Sequence, residues 1–221
     1  MGSSRILRAK VAREAAALLY SGVEKEYRQA KLKAAKALGS HFLPTNLQVA
    51  LELDGLAEEN EGRHRQEKLV AMRRQALVLM KILRAFCPVL VGSVWRGTIH
   101  RNSDIDVAVY CDDPTEVLET LERHGVAVLG KEWVEVTKQG RREDSFHLHV
   151  RLVGDYEAEI VVRRSEEKSR RRTCAIYGDA VVGLGVEELD KILEESPTQR
   201  FVPRSRSARS TSRLGVERFL Q

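Results

Sequence analysis

The chain lacks any apolar stretch of membrane-spanning length, and its first residues, Met1-Gly2-Ser3-Ser4-Arg5, lack the apolar core of a signal peptide. It has only three cysteines among 221 residues, Cys87, Cys111 and Cys174. They are scattered and odd in number, so neither a disulfide framework nor a zinc spacing is expected. Reduced thiols in a cytoplasmic protein are the reading that fits. No internal repeat is evident. Positive charge is also missing from most of the chain. The net charge is +5, and residues 200–221 supply all of it through six arginines against one acid, Glu217. Residues 1–199 are formally neutral, which argues against a uniformly basic enzyme. The Arg/Ser-rich tail reads as an arm able to follow a phosphate backbone, so RNA or DNA is a candidate partner. The oligomeric state is left open.

A hydrophobic content of 43% with 31% charged residues is that of a globular protein. Residues 1–86 read as a helical region. Ile6–Tyr20 and Val23–Leu38 have helical spacing, and Thr45 or Asn46 caps a third helix running to about Glu61. A fourth runs from about Arg63 to Phe86, with Leu69, Met72, Ala76, Leu79, Met80 and Leu83 on one side. From Pro88 short strands and turns take over. Asp112-Asp113-Pro114 starts a helix, Glu132–Thr137, Phe146–Val153 and Glu157–Arg163 alternate as strands, and Leu184–Glu195 reads as a last helix. Few parallel crossovers are implied, so the class is α+β. The expected division is 1–86 helical, 87–199 catalytic and 200–221 tail.

The chemistry is concentrated in residues 88–110. Pro88-Val89-Leu90-Val91 is a short β-branched run ended by Gly92-Ser93. Glycine admits close backbone approach to a ligand, and a helix opening here would aim free N–H groups at an anion. Ten residues later comes Ser103-Asp104-Ile105-Asp106. The alternation through Tyr110 places Asp104 and Asp106 on one strand face. Adjacent carboxylates repel and raise each other's pKa, and a hard divalent cation such as Mg²⁺ (Mn²⁺ as a substitute) removes the conflict. Two ions about 3.5–4 Å apart would clamp the attacking and leaving oxygens of a phosphoryl displacement.

Gly92, Ser93, Arg96, Gly97, Thr98, Ser103, Asp104 and Asp106, in that order, resemble the nucleotidyltransferase superfamily that includes DNA polymerase beta, the CCA-adding enzymes and the minimal nucleotidyltransferases. The resemblance is specific over about twenty residues and supports a domain of roughly 87–165. It implies a polymerase-beta-like mixed sheet with helices. The implied enzyme is Mg²⁺-dependent and moves a nucleoside monophosphate from a triphosphate such as ATP to an acceptor hydroxyl. The superfamily's third carboxylate corresponds best to Glu159, followed by Ile160-Val161-Val162, with Glu157 as runner-up; glutamate departs from the usual aspartate. Gly92 and Ser93 would hold the β- and γ-phosphates, and Arg96 and Arg101 would neutralise leaving charge. The alternatives are a protein or small-molecule acceptor, or a nucleotide-binding regulatory protein on the same fold. His147 and His149 share a strand face with Arg151, and with no third ligand at hand they read as a polar face.

Overall fold

The computed structural model describes residues 2–138 and 141–203. Three helices come first: α1 (Gly2–Tyr20), α2 (Tyr27–Ala37) and α3 (Asn46–Ile82). α3 opens with a capping box, in which Thr45 accepts from the Gln48 backbone and the Gln48 side chain returns the bond to Thr45. Its 37 residues are two helices that meet at Gly62, where φ is 49° and ψ −125°. Two sequence-expected helices, ending near Glu61 and starting near Arg63, are therefore present, joined by a glycine hinge.

The rest is an α+β unit. Strand β1 (Val89–Val91) leads into the one-turn helix α4 (Gly92–Arg96), then β2 (Ile105–Tyr110), α5 (Pro114–Arg123), β3 (Ala127–Lys138), β4 (Arg141–Arg151), β5 (Glu157–Arg163) and α6 (Val186–Glu195). The sheet order is β1-β2-β5-β4-β3. Only β2 and β5 run parallel, and every other pair is antiparallel. The sheet is mixed, as the resemblance implies. The hairpin of β3 and β4 is longer than its alternation suggested; its turn, Gln139-Gly140, lies outside the described residues.

Alternation sorts the two sheet faces. Ile105, Val107 and Val109 of β2, Ala158, Ile160 and Val162 of β5, and Leu148 and Val150 of β4 are all buried. They share one apolar cluster with Leu69, Met72, Leu79 and Met80 of α3, Val117 and Leu121 of α5, and Leu189 of α6. The opposite face carries Asp106, Glu159, His147 and His149. A second cluster, rich in alanine, joins α1, α2 and the first half of α3 through Val11, Ala15, Ala30, Ala34, Val49 and Leu53. The small side chains let these helix backbones approach closely. α3 thus serves both cores, one on each side of Gly62. No helix among the described residues is long and apolar enough to cross a membrane.

Two buried arginines tie the parts together. Arg65 donates to the Ile99 carbonyl at 2.7 Å and to Glu58 at 2.9 Å, and also pairs with Asp54. Arg73, fully buried, donates to the backbone carbonyls of Val94, Trp95, Pro197 and Gln199 at 2.7–3.2 Å. With no carboxylate beside it, burial lowers its pKa to about 10. The residues after α6 are thereby laced onto α3 and α4. Phe201 stacks on Trp95, and Arg200 pairs with Asp54 at 2.5 Å. Of the tail 200–221 expected to meet nucleic acid, residues 204–221 lie outside the described residues.

Candidate active site

The site is built where β1 and β2 separate. Val91 of β1 lies opposite Asp106 of β2, so the next residue, Gly92, turns directly over the Asp106 carboxylate. Gly92 has φ +69°, and a Cβ there would lie 1.8 Å from Asp106 Oδ2. Both the positive φ and the absent side chain are required. α4 closes after one turn at Gly97, also at positive φ, whose N–H bonds the Ser93 carbonyl. Ser93 remains half-buried on the cleft side.

Asp106 and Glu159 are directly paired residues on the parallel strands β2 and β5. Asp104 stands one residue before β2 begins and is exposed, so it occupies the strand's approach and not its first rung. Burial pushes the Asp106 carboxyl well above the usual carboxylate range, and the charges of Asp104 and Glu159 push it further. Although part of the Asp104 residue is open to solvent, loss of water around its carboxyl raises its pKa, its own backbone opposes this, and the charge of Glu159 adds to the rise. No side chain among the described residues donates a hydrogen bond to either aspartate. Carboxylates that raise one another's pKa in this way are a donor set that a hard divalent cation fits. Among the described residues, no group of three His, Cys, Asp or Glu side chains is already gathered into a metal cage. Glu159 Oε1 is held by His147 Nδ1 at 2.6 Å. Glu157, the runner-up, is exposed and 3.8 Å from Arg151.

The arginines are redirected. Arg96, 4% exposed, borders the cleft with its guanidinium engaged inside the protein. Its guanidinium takes both oxygens of Asp179 at 2.7 and 3.1 Å and the Phe201 carbonyl at 2.9 Å, between the rings of Trp95 and Tyr177. Helical periodicity turns it inward, and Asp179, 83 residues away, neutralises it there. Arg101 lies over the Tyr20 ring and donates to the Tyr20 carbonyl at 3.0 Å. It borders the cleft but is tethered to the end of α1. The same loop is gripped elsewhere: Lys68 reaches the Arg101 carbonyl at 2.8 Å, and Asn102 donates to the Tyr20 carbonyl at 2.9 Å. The helical region therefore holds the loop that links Gly97 to Asp104.

A cleft of about 1410 Å³ runs along this face. The Gly92-Ser93 turn, Asp104 and Asp106 line it together with Leu19, Tyr27 and Leu53 of the helical region. Lys68, Lys168 and Arg170 add positive charge to its walls. It is large enough for a nucleotide and part of a second substrate. His100 sits inside it with a pKa lowered to about 4, first by burial and then by Lys68, Arg65 and Arg101. His147 is the residue that sequence reasoning missed: its alternation placed it on the correct face, but nothing in the spacing named Glu159 as its partner.

The site is thus a glycine turn over the Asp106 carboxylate, with a second acid, Glu159, in register on the next strand of a mixed sheet. Residues 81–178 match the nucleotidyltransferase domain family. The chain is also similar to solved structures. One is a cytoplasmic RNA terminal U-transferase, at 19% identity and a TM-score of 0.30, covering 53% of this chain and 34% of that one. Another is the Cid1 poly(U) polymerase, as an H336N mutant bound to MgATP, at 19% identity and TM-score 0.30, covering 50% and 38%. A third is Cid1 with the UTP analog UMPNPP, at 23% identity and TM-score 0.29, covering 51% and 36%. The chain thus spans about a third of the length of these proteins. No curated protein matches its sequence.

Proposed function

We propose that this chain is a Mg²⁺-dependent nucleotidyltransferase that transfers a nucleoside monophosphate from a triphosphate such as ATP to an acceptor hydroxyl. The observation that carries this reading is the contact of Gly92 with Asp106 beside the Asp106–Glu159 pair. It sets the Asp106 carboxylate against the Gly92 turn, with Glu159 in register on the neighbouring strand. Gly92 and Ser93 bind the β- and γ-phosphates through backbone N–H groups and the Ser93 hydroxyl. Asp104, Asp106 and Glu159 hold the divalent cation, with two ions as the working number. The cation supplies charge neutralisation at the phosphates and lowers the pKa of the attacking hydroxyl. The hydroxyl oxygen bonds to the α-phosphorus, its proton passes to the Glu159 carboxylate, and the bond to the bridging oxygen breaks to release pyrophosphate. Positioning and electrostatics provide most of the rate in such a displacement.

A nucleic-acid acceptor is favoured by the arginines of residues 200–221, and a cytoplasmic setting by the three free thiols. The test incubates the protein and Mg²⁺ with each labelled triphosphate and with RNA, DNA or protein, and follows pyrophosphate and label. Mg²⁺-dependent pyrophosphate release with label in RNA or DNA is expected. Triphosphate binding without any release would identify a regulatory nucleotide-binding protein instead. Label in protein or a small molecule would overturn the acceptor assignment alone.

A further inference from the structure

Glu159 has a longer stem than the aspartate usual at this position, and one more rotatable bond to control. An acid that must present its head to a cation loses affinity when that bond is free. The structure shows what restrains it. On β4, His149 stands directly opposite Glu159, yet His149 points to Glu132 at 3.5 Å. The ring that takes Glu159 is the diagonal neighbour, His147, whose Cα partner is Val161. The longer stem of glutamate carries the carboxylate across this diagonal. The second ring nitrogen is also occupied, with His147 Nε2 lying 2.8 Å from Ser145 Oγ. A carboxylate only accepts, so Nδ1 carries the proton toward Glu159, and in the neutral ring Nε2 accepts from the Ser145 hydroxyl. Both side chains are largely buried, His147 at 16% and Glu159 at 24% exposure. The imidazole is thus pinned at both ends, with a free carboxylate oxygen of Glu159 left for a second partner.

We propose that His147, itself oriented by Ser145, is a positioning residue that sets the Glu159 carboxylate for the divalent cation. This rests on the reading of Glu159 as the third carboxylate. The arrangement Ser145–His147–Glu159 acts outside the ligand shell, in the way that hydrogen-bonded partners orient ligands in other metal sites, where their loss costs about 10–100-fold in metal affinity.

The test is Mn²⁺ binding to the full-length protein by electron paramagnetic resonance, with no turnover required. His147→Ala and His147→Phe, the second keeping the ring's bulk, are expected to weaken Mn²⁺ binding at least about 10-fold. His147→Asn, whose amide N–H falls near Nδ1, is expected to restore most of it. In a Glu159→Gln background, His147→Phe should cause no further loss. Wild-type affinity in His147→Phe, or an equal loss with and without Glu159, would overturn the proposal. Asp106→Asn separates this from the functional reading. If that variant binds Mn²⁺ as tightly as wild type, the metal site itself is wrong; if it loses binding while His147→Phe does not, only the role of His147 falls.

Discussion

Gly92 and Asp106 touch: a β-carbon on the glycine would sit 1.8 Å from one carboxylate oxygen and 2.7 Å from its carbon. The Gly92 turn and the acidic strand are therefore in direct contact. Gly92→Ala must displace the Asp106 head and strain a backbone at φ +69°. Misplacement by about 1 Å costs about 100-fold in rate, so transfer should fall at least that far, with a lower Tm. Pyrophosphate release by purified Gly92→Ala at wild-type rate would refute the contact's importance.

Asp106→Asn should abolish transfer and yet stabilise the metal-free protein. Its folded pKa is raised by burial and by Asp104 and Glu159, so ionised Asp106 costs stability. The folded state prefers the protonated form. Stability therefore falls as pH rises through the folded pKa, and the cost persists above it. The variant's gain should be present at pH 8 and vanish near pH 3. In EDTA, each ~1 kcal/mol corresponds to about 2–4 °C in Tm for a chain of this size. A lower Tm for Asp106→Asn at pH 8 would contradict the repulsion argument. Asp104→Asn should also lose transfer with its fold intact.

His100 should impose a pH dependence of the opposite sense. Its pKa drops to about 4 on folding, by burial and then by Lys68, Arg65 and Arg101, against 6.5 when free. The unfolded chain takes up a proton first, so stability is complete above pH 6.5 and is lost as pH falls toward 4. At pH 5 the loss is about 1–2 kcal/mol by this linkage. Urea titrations at pH 7.5 and 5 should show a smaller difference for His100→Gln than for wild type. Equal differences would show that His100 titrates normally.

Arg96→Ala should act on stability and not on triphosphate binding. Removing it leaves Asp179 and the Phe201 carbonyl without their partner between Trp95 and Tyr177. Breaking a buried ion pair costs about 3–5 kcal/mol, at the lower end here because Asp179 is one-third exposed. Asp179→Asn combined with Arg96→Ala should be clearly less than additive in urea unfolding. A raised KM for triphosphate at unchanged Tm would return Arg96 to the phosphate site.

The sequence by itself determined the local units. Glycine with serine after a β-branched run, and acids spaced by two ahead of Val107 and Val109, were legible because turn chemistry and strand alternation act within a few residues. The Gly62 break and the Thr45 cap were legible for the same reason. The tertiary structure decided which distant groups meet. Arg96 reads as a cation for phosphate until Asp179 claims it, and His147 reads as a polar surface residue until strand pairing sets it beside Glu159. Asp104 reads as strand and proves to lie just outside it. Partner choice across 12 or 83 residues depends on register and on which face is buried, and those are set by the packing of the whole sheet against α3.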